Sequence, residues 1–367
     1  MKALVVGGTG PTGPFIVNGL IERGYDVTIF HRGTHEVPEI PPVVEHVHGD
    51  PHFRETIDQG LAERTFDLAV VTYGRVRLVA EALVGKVGRF VGIGGMPSYR
   101  GFADPYALFP PGLKVPTPEE APLVASEEEQ RFSYLIAQTE QAVFDAHPTA
   151  AFFRYAYVYG AYQLVPREWS IIRRILDRRP FIILPDGGLM LYAHGYAGNL
   201  AHAILLAVDQ PDISTGQIYN CGDEQQFTLR QFVEAIAGEM NYDLEIVSMP
   251  HRLARPSHPY ILQASPHHRV LDLAKIKNQL GYSDIYTVEE GLARTVRWYV
   301  EHQPERAGEI ERQLQDPFNY EGEDRLVAAF KASMAELETI PFDVAVNRPH
   351  PYAHPKTPGQ SRDHRGR

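Results

Sequence analysis

The stretch Ala3-Leu4-Val5-Val6-Gly7-Gly8-Thr9-Gly10-Pro11-Thr12-Gly13-Pro14-Phe15-Ile16-Val17 decides the fold. Four apolar residues of strand type run into a G-x-x-G-x-x-G loop, and a helical apolar pattern follows as far as Gly24, a natural C-terminal cap. Glycines in such a loop let the chain turn tightly and bring backbone N–H groups against a pyrophosphate at the positive end of the helix. Pro14 suits a first helical turn, where its missing N–H is not needed. Gly7, Thr9, Gly10, Pro11, Thr12 and Gly13 are therefore the expected cradle of a dinucleotide.

Outward from the loop, short β-prone runs at 27–30, 43–47, 68–71, 90–93 and 151–154 each read as a buried strand, with helical patterns between them. That rhythm predicts an α/β protein with a Rossmann-type doubly wound parallel sheet and a smaller C-terminal substrate lobe. Residues 1–160 are expected to form the dinucleotide-binding domain, its sheet completed by later segments. Residues 161–340 would supply a mixed lobe with closing helices, and 341–367, rich in Pro, His and Arg, a flexible tail. A long helix is expected over 126–147, opened by the capping pair Ser126 and Glu129 and stopped by Pro148. It puts Tyr134 and Gln138 on one face, one turn apart.

The second strand ends Ile29-Phe30-His31-Arg32-Gly33, with no carboxylate to accept from a ribose 2′-hydroxyl. Arg32 can pair with a 2′-phosphate instead, so NADP(H) is favoured, with NAD(H) the alternative. His31 and Thr72, at strand ends on the carboxyl edge where ligands bind, join the cofactor candidates.

The 367 residues carry 35 Lys and Arg against 46 Asp and Glu, a formal charge of −11, which disfavours a general nucleic-acid binder. Anion binding must be local. A single cysteine, Cys221, excludes an internal disulfide, and no export signal or apolar span of bilayer length is visible, so a cytoplasmic protein that avoids membranes is expected.

With the glycine loop, Arg32 and the tyrosine helix located, the chain resembles the extended short-chain dehydrogenase/reductase family, also called the NAD-dependent epimerase/dehydratase family. Matching stretches over most of residues 1–300 are the loop, His48-Gly49-Asp50, Phe153-Arg154-Tyr155-Ala156-Tyr157-Val158-Tyr159-Gly160 and Tyr219-Asn220-Cys221-Gly222; residues 275–282, Glu289-Glu290-Gly291 and Trp298-Tyr299 look like the closing helices. The resemblance implies an adenine contact for Asp50, a homodimer, and catalysis by a Ser or Thr, a Tyr and a Lys. Tyr134 matches the tyrosine, but the lysine position is Gln138 and the serine position falls at Gly95.

The cost of Gln138 can be bounded. A free phenol titrates near ~10, and restoring the ~2–3 unit depression that a neighbouring ammonium supplies would take roughly 3–4 kcal/mol. Tyr134 would stay protonated at neutral pH, able to donate a proton to a carbonyl but poor as a base. Ser98, Tyr99, Ser133, Thr72 and Tyr73 are candidate substitutes; Tyr99, Tyr157 and His194 are candidate substrate contacts, and Tyr155, Tyr157 and Tyr159 share one face by their period of two. The literal Y-x-x-x-K from Tyr352 to Lys356 contains a proline and is discarded.

His48, Asp50 and His52 alternate, but Pro51 breaks the strand pattern and no metal site is expected. Neither H-E-x-x-H nor G-x-S-x-G occurs. The sequence points to an NADP(H)-dependent oxidoreductase or epimerase-like enzyme acting on a small carbonyl or hydroxyl compound, with Tyr134 as proton donor. The alternatives are a nucleotide-sugar epimerase or dehydratase and a redox-inert dinucleotide sensor or scaffold. Nucleic acid remains open only at the basic tail (Arg348, Lys356, Arg362, Arg365, Arg367).

Overall fold

The structure, a computed structural model, describes residues 1–34, 36–261, 265–342 and 356–360. Two compact units, Met1–Phe318 and Asn319–Arg367, divide the chain. The first begins with β1 (Lys2–Val6), α1 (Gly13–Glu22), β2 (Asp26–His31), β3 (Glu45–His48), α2 (Arg54–Leu61), β4 (Phe66–Val71), α3 (Val76–Ala82), β5 (Val87–Gly95), α4 (Glu127–Ala146) and β6 (Ala151–Tyr155). These strands and a later one form a parallel sheet in the order β10-β6-β5-β4-β1-β2-β3, where β10 is Ile218–Cys221. The chain leaves β1 toward β2 and β3 on one side and returns to β4 on the other. That reversal opens a crevice at the carboxyl ends of β1 and β4, where ligands bind in open α/β sheets.

Both faces of the sheet are covered, which is why its strands read as nearly unbroken apolar runs. Val5, Ile29, Val70, Val91 and Phe153 pack one face against Ile16, Val17 and Leu20 of α1 and Leu200 and Ile204 of a later helix. Leu4, Val6, Phe30, Val71, Phe90 and Phe152 pack the other against Ile57 and Leu61, Val79 and Val143.

Two local expectations need correction. Strand β3 starts at Glu45, because Val44 closes a turn onto the carbonyl of Pro41, and Val43 is exposed. As an edge strand it is only half-buried. The helix read over 126–147 is broken at Gln130, whose backbone is extended (φ −166°, ψ 106°). Ser126 caps only the first turn, accepting from the Glu129 N–H at 3.3 Å, and the Gln130 carboxamide accepts from the Ser133 N–H to start the helix afresh. Tyr134 thus sits near the beginning of a helix, not deep inside one.

After β6 come β7 (Tyr157–Tyr159), α5 (Arg167–Leu176), β8 (Phe181–Pro185), β9 (His194–Tyr196), α6 (Ala197–Asp209), α7 (Pro211–Ser214), β10, α8 (Leu229–Glu239), β11 (Glu245–Met249), α9 (His258–Ile261), α10 (Ala274–Leu280), α11 (Val288–Glu301) and α12 (Glu309–Leu314). Here β8 pairs with β11 and β7 with β9 around a separate core of Trp169, Ile172, Leu184, Val233, Leu292 and Tyr299. Reciprocal capping boxes, Thr228 with Gln231 and Thr287 with Glu290, start α8 and α11.

The second unit contains α13 (Tyr320–Leu337), capped by the Asn319 carboxamide, which accepts from the Gly322 N–H at 3.0 Å. Most of the expected tail, 343–355 and 361–367 with Tyr352, Arg348, Arg362, Arg365 and Arg367, lies outside the described residues. No helix among the described residues is long and apolar enough to cross a membrane.

Candidate active site

A cleft of about 240 Å³ opens at the crevice, lined by Gly7, Thr9, Gly10, Pro11, Thr12, His31, Arg32, Thr34, Thr72, Tyr73, Ile93, Tyr155, Val158, Tyr162, Gln163 and Leu164. The loop needs its glycines for two separate reasons. Gly7 has φ +108°, and a Cβ there would lie 2.5 Å from the Thr72 Oγ1; a Cβ on Gly13 would lie 2.0 Å from the Gly8 carbonyl oxygen, so the helix start packs directly on the turn. At Gly10 a Cβ would meet nothing within 4 Å, as expected of a loop that faces a ligand. No side chain caps α1 and no acidic residue occupies its first turn, so its positive end is uncompensated by the protein. These features fit a bound pyrophosphate.

The cleft brings together eight of the ten residues the sequence assigned to the cofactor: Gly7, Thr9, Gly10, Pro11, Thr12, His31, Arg32 and Thr72. Gly13 lies behind the loop, and Asp50 does not line the cleft. The Thr72 hydroxyl donates to the carbonyl of Val6 at 3.0 Å, tying β4 to β1 across the crevice. Arg32 is exposed, its guanidinium 5.5 Å from the Tyr73 ring centroid, and among the described residues it makes no ion pair within 4.0 Å. Burial acts to raise the Asp50 carboxyl, but hydrogen bonds from the His52 N–H and ring, with Arg32 nearby, outweigh it and hold the carboxyl below its ordinary range.

The catalytic positions are less complete. Tyr134 is half-buried and Gln138 exposed, and neither lines the cleft. At Gly95 the backbone is extended, and a Cβ would lie 3.1 Å from the Pro97 Cδ. Ser98 is buried and donates to the Gly95 carbonyl at 3.0 Å, and Ser133 is buried as well. Tyr99, a candidate substrate contact by sequence, is instead wholly buried. Its hydroxyl donates to Asn220 Oδ1 at 2.6 Å and accepts from Arg154 at 2.8 Å, and burial pushes its pKa up to about 12. Of the candidate substitutes only Thr72 and Tyr73 line the cleft.

Comparisons with known proteins bear on this geometry. No protein-family model matches the chain. The uncharacterized protein YbjS of Escherichia coli is 29% identical over 140 residues, 33% of this chain and 42% of YbjS, so the match spans less than half of that relative. A UDP-N-acetyl-alpha-D-glucosaminuronate decarboxylase of Bacillus cytotoxicus is 22% identical over 82% of this chain and 98% of its own. Among solved structures, a UDP-glucose 4-epimerase of Thermotoga maritima, determined with UDP-glucose, superposes with a TM-score of 0.67 at 19% identity, over 83% of this chain and all of the epimerase. A dTDP-glucose 4,6-dehydratase of Bacillus anthracis in complex with NAD gives a TM-score of 0.62 at 19% identity, over 83% and 97%. This chain has the fold of these epimerase and dehydratase structures.

Within this fold the three tyrosines spaced by two do not share a face. The chain leaves β6 at Ala156 and pairs anew as β7, so Tyr155 lines the cleft while Tyr157 turns to a second, smaller cavity. Tyr159 is buried and donates to Asp223 Oδ2 at 2.9 Å. The second cavity, about 40 Å³, is bordered by Tyr157, Arg167, Glu168, Tyr192, His194 and Tyr260. His194 Nδ1 lies 3.1 Å from Asp223 Oδ2 and its Nε2 accepts from the Phe227 N–H at 3.2 Å, so both nitrogens are committed to holding the lobe together. With Nε2 accepting, Nδ1 is the nitrogen that donates to Asp223.

The sequence did not single out Glu168, which is fully buried; burial pushes its carboxyl up to about 7 against the pull of Arg167. Nor did it single out Thr34, Ile93, Val158, Gln163 and Leu164 as cleft residues. Only the strand-end position of Ile93 and the tyrosine-rich run around Val158 hinted at them.

Proposed function

We propose that the chain is an NADP(H)-dependent enzyme of the epimerase and dehydratase kind that reduces a carbonyl, or oxidises the corresponding hydroxyl, on a nucleotide-linked sugar or a similar small polar compound. The observation that carries the reading is Arg32. It is the exposed cation at the rim of a glycine cradle, where a carboxylate would repel a 2′-phosphate and a guanidinium can grip it at two points. The structural neighbours, a UDP-glucose 4-epimerase and a dTDP-glucose 4,6-dehydratase, support the substrate class.

Gly7, Gly10 and the uncapped start of α1 would hold the pyrophosphate, Arg32 the 2′-phosphate, and Ile93 with Tyr155 the floor of the cleft. The dinucleotide, when bound, supplies or accepts the hydride. Tyr134, with the uncharged Gln138 in place of an ammonium and standing outside the cleft lining, takes the part of proton donor to a substrate oxygen. That favours carbonyl reduction over alcohol oxidation, because reduction needs an acid and oxidation a base. Tyr73, which lines the cleft itself, offers a hydroxyl within the site.

The test combines binding with turnover. NADPH should bind more tightly than NADH, and deuteride from stereospecifically labelled NADPH should appear in a reduced nucleotide-sugar ketone. Tyr134→Phe should abolish transfer while leaving NADPH binding intact. Tight NADPH binding without deuteride transfer to any carbonyl substrate would instead establish the redox-inert sensor.

A further inference from the structure

We propose that His31, His46, His48 and Glu36 form a binding site for a divalent transition-metal ion of the zinc class. The inference does not depend on the proposed enzymatic activity, although His31 also borders the cleft at the glycine loop. In the β2–β3 pairing Ile29 stands opposite His46 and His31 opposite His48. Side chains alternate faces along a strand, so His31, His46 and His48 leave the same face of two adjacent strands. Glu36, from the segment that follows β2, closes over them.

The donor atoms converge. His31 Nε2 lies 3.0 Å from His46 Nδ1, and the Glu36 carboxylate oxygens lie 3.1 Å from His46 Nδ1, 3.8 Å from His48 Nε2 and 4.0 Å from His31 Nε2. All four ligand atoms fall within 4.8 Å of one another. Tetrahedral coordination with bonds of about 2.0–2.1 Å sets donors about 3.3–3.4 Å apart, inside the span of the four separations, so small rotamer changes complete the shell. Three imidazoles and a single carboxylate suit zinc, cobalt, nickel or copper and not magnesium or calcium, which prefer oxygen.

Burial gives the site a base and a mouth. His31 is buried and His46 partly so, while His48 and Glu36 are open to solvent and provide the entry path. The alternating histidine and carboxylate motif of the sequence is divided by the fold. His52 pairs with Asp50 at 2.7 Å, and His48 turns to the other group. Four protein ligands leave no open coordination position, which is the arrangement of a structural ion. Such an ion would pin the segment after β2, and with it Arg32, to the edge strand β3.

The full-length chain, carrying no affinity tag and stripped with a chelator, should be titrated with Co²⁺. The expected result is saturation at one equivalent, with the intense visible absorption of tetrahedral cobalt, bleached when Zn²⁺ is added. His46→Ala, His48→Ala and Glu36→Gln should each weaken Co²⁺ binding by at least the about 10–100-fold that loss of even an outer-shell partner costs, whereas His52→Ala should not. Because His48 is exposed, His48→Ala decides the matter even if His46→Ala fails to fold. A chain that shows no tetrahedral band, or a His48→Ala variant that binds Co²⁺ as the parent does, would overturn the assignment.

Discussion

The Arg154 guanidinium lies fork-to-fork on the Glu140 carboxylate, with Nη2–Oε1 and Nε–Oε2 distances of 2.6 and 2.8 Å, and both side chains are buried. The pair joins β6 to α4, the helix that carries Tyr134, and Arg154 continues to the Tyr99 hydroxyl and the Glu119 carbonyl. Removing one member leaves the other charged and sealed from water. Glu140→Ala should therefore lower the free energy of unfolding by about 3–5 kcal/mol in denaturant titration. A double replacement of Glu140 and Arg154 by apolar residues of similar volume should recover much of that loss.

Gly13→Ala should abolish dinucleotide binding. Its Cβ would fall 2.0 Å from the Gly8 carbonyl oxygen, so either the loop or the start of α1 must move. The cradle depends on their contact. Calorimetry with NADPH should find no heat of binding, and the melting temperature should fall as well.

Arg32→Ala should weaken NADPH binding by about 1.5–3 kcal/mol, the range for a hydrogen bond to a charged group, roughly a 10–150-fold rise in Kd. NADH, which has no 2′-phosphate, should bind as before. Fluorescence titration of both cofactors gives the comparison. Equal losses for the two would remove Arg32 from the 2′-subsite.

Glu168 makes stability depend on pH. Its folded-state pKa, about 7, lies above the ordinary carboxyl value of 4.5 because burial penalises the charged form. Between those values the folded chain holds a proton that the unfolded chain has released, so this group's contribution to stability falls as pH rises from about 4.5 to 7. At 1.36 kcal/mol per unit the loss is on the order of 3 kcal/mol. Glu168→Gln, neutral at every pH, should therefore stabilise the protein more at pH 8 than at pH 5, as seen by urea denaturation at the two values.

The parallel sheet and the glycine loop were legible in the sequence, because both are written locally. Apolar runs buried on two faces, a glycine spacing at one strand–helix junction and a cation at the next strand end each involve residues within a few positions of one another. Only the tertiary structure decided which polar residues face a cleft and which face the core. Tyr99 was a candidate ligand until Asn220 and Arg154, 121 and 55 residues away, claimed its hydroxyl. His194 was another until Asp223 and the Phe227 N–H took its two nitrogens. The tyrosine period failed for a related reason, since β7 pairs with β9 and not with the central sheet. His31, His46, His48 and Glu36 meet only because β2 and β3 pair in one register, and a one-residue slip would turn the β3 histidines to the opposite face. Contacts between distant residues carry no local pattern, so the chemistry they create appears only once the chain is folded.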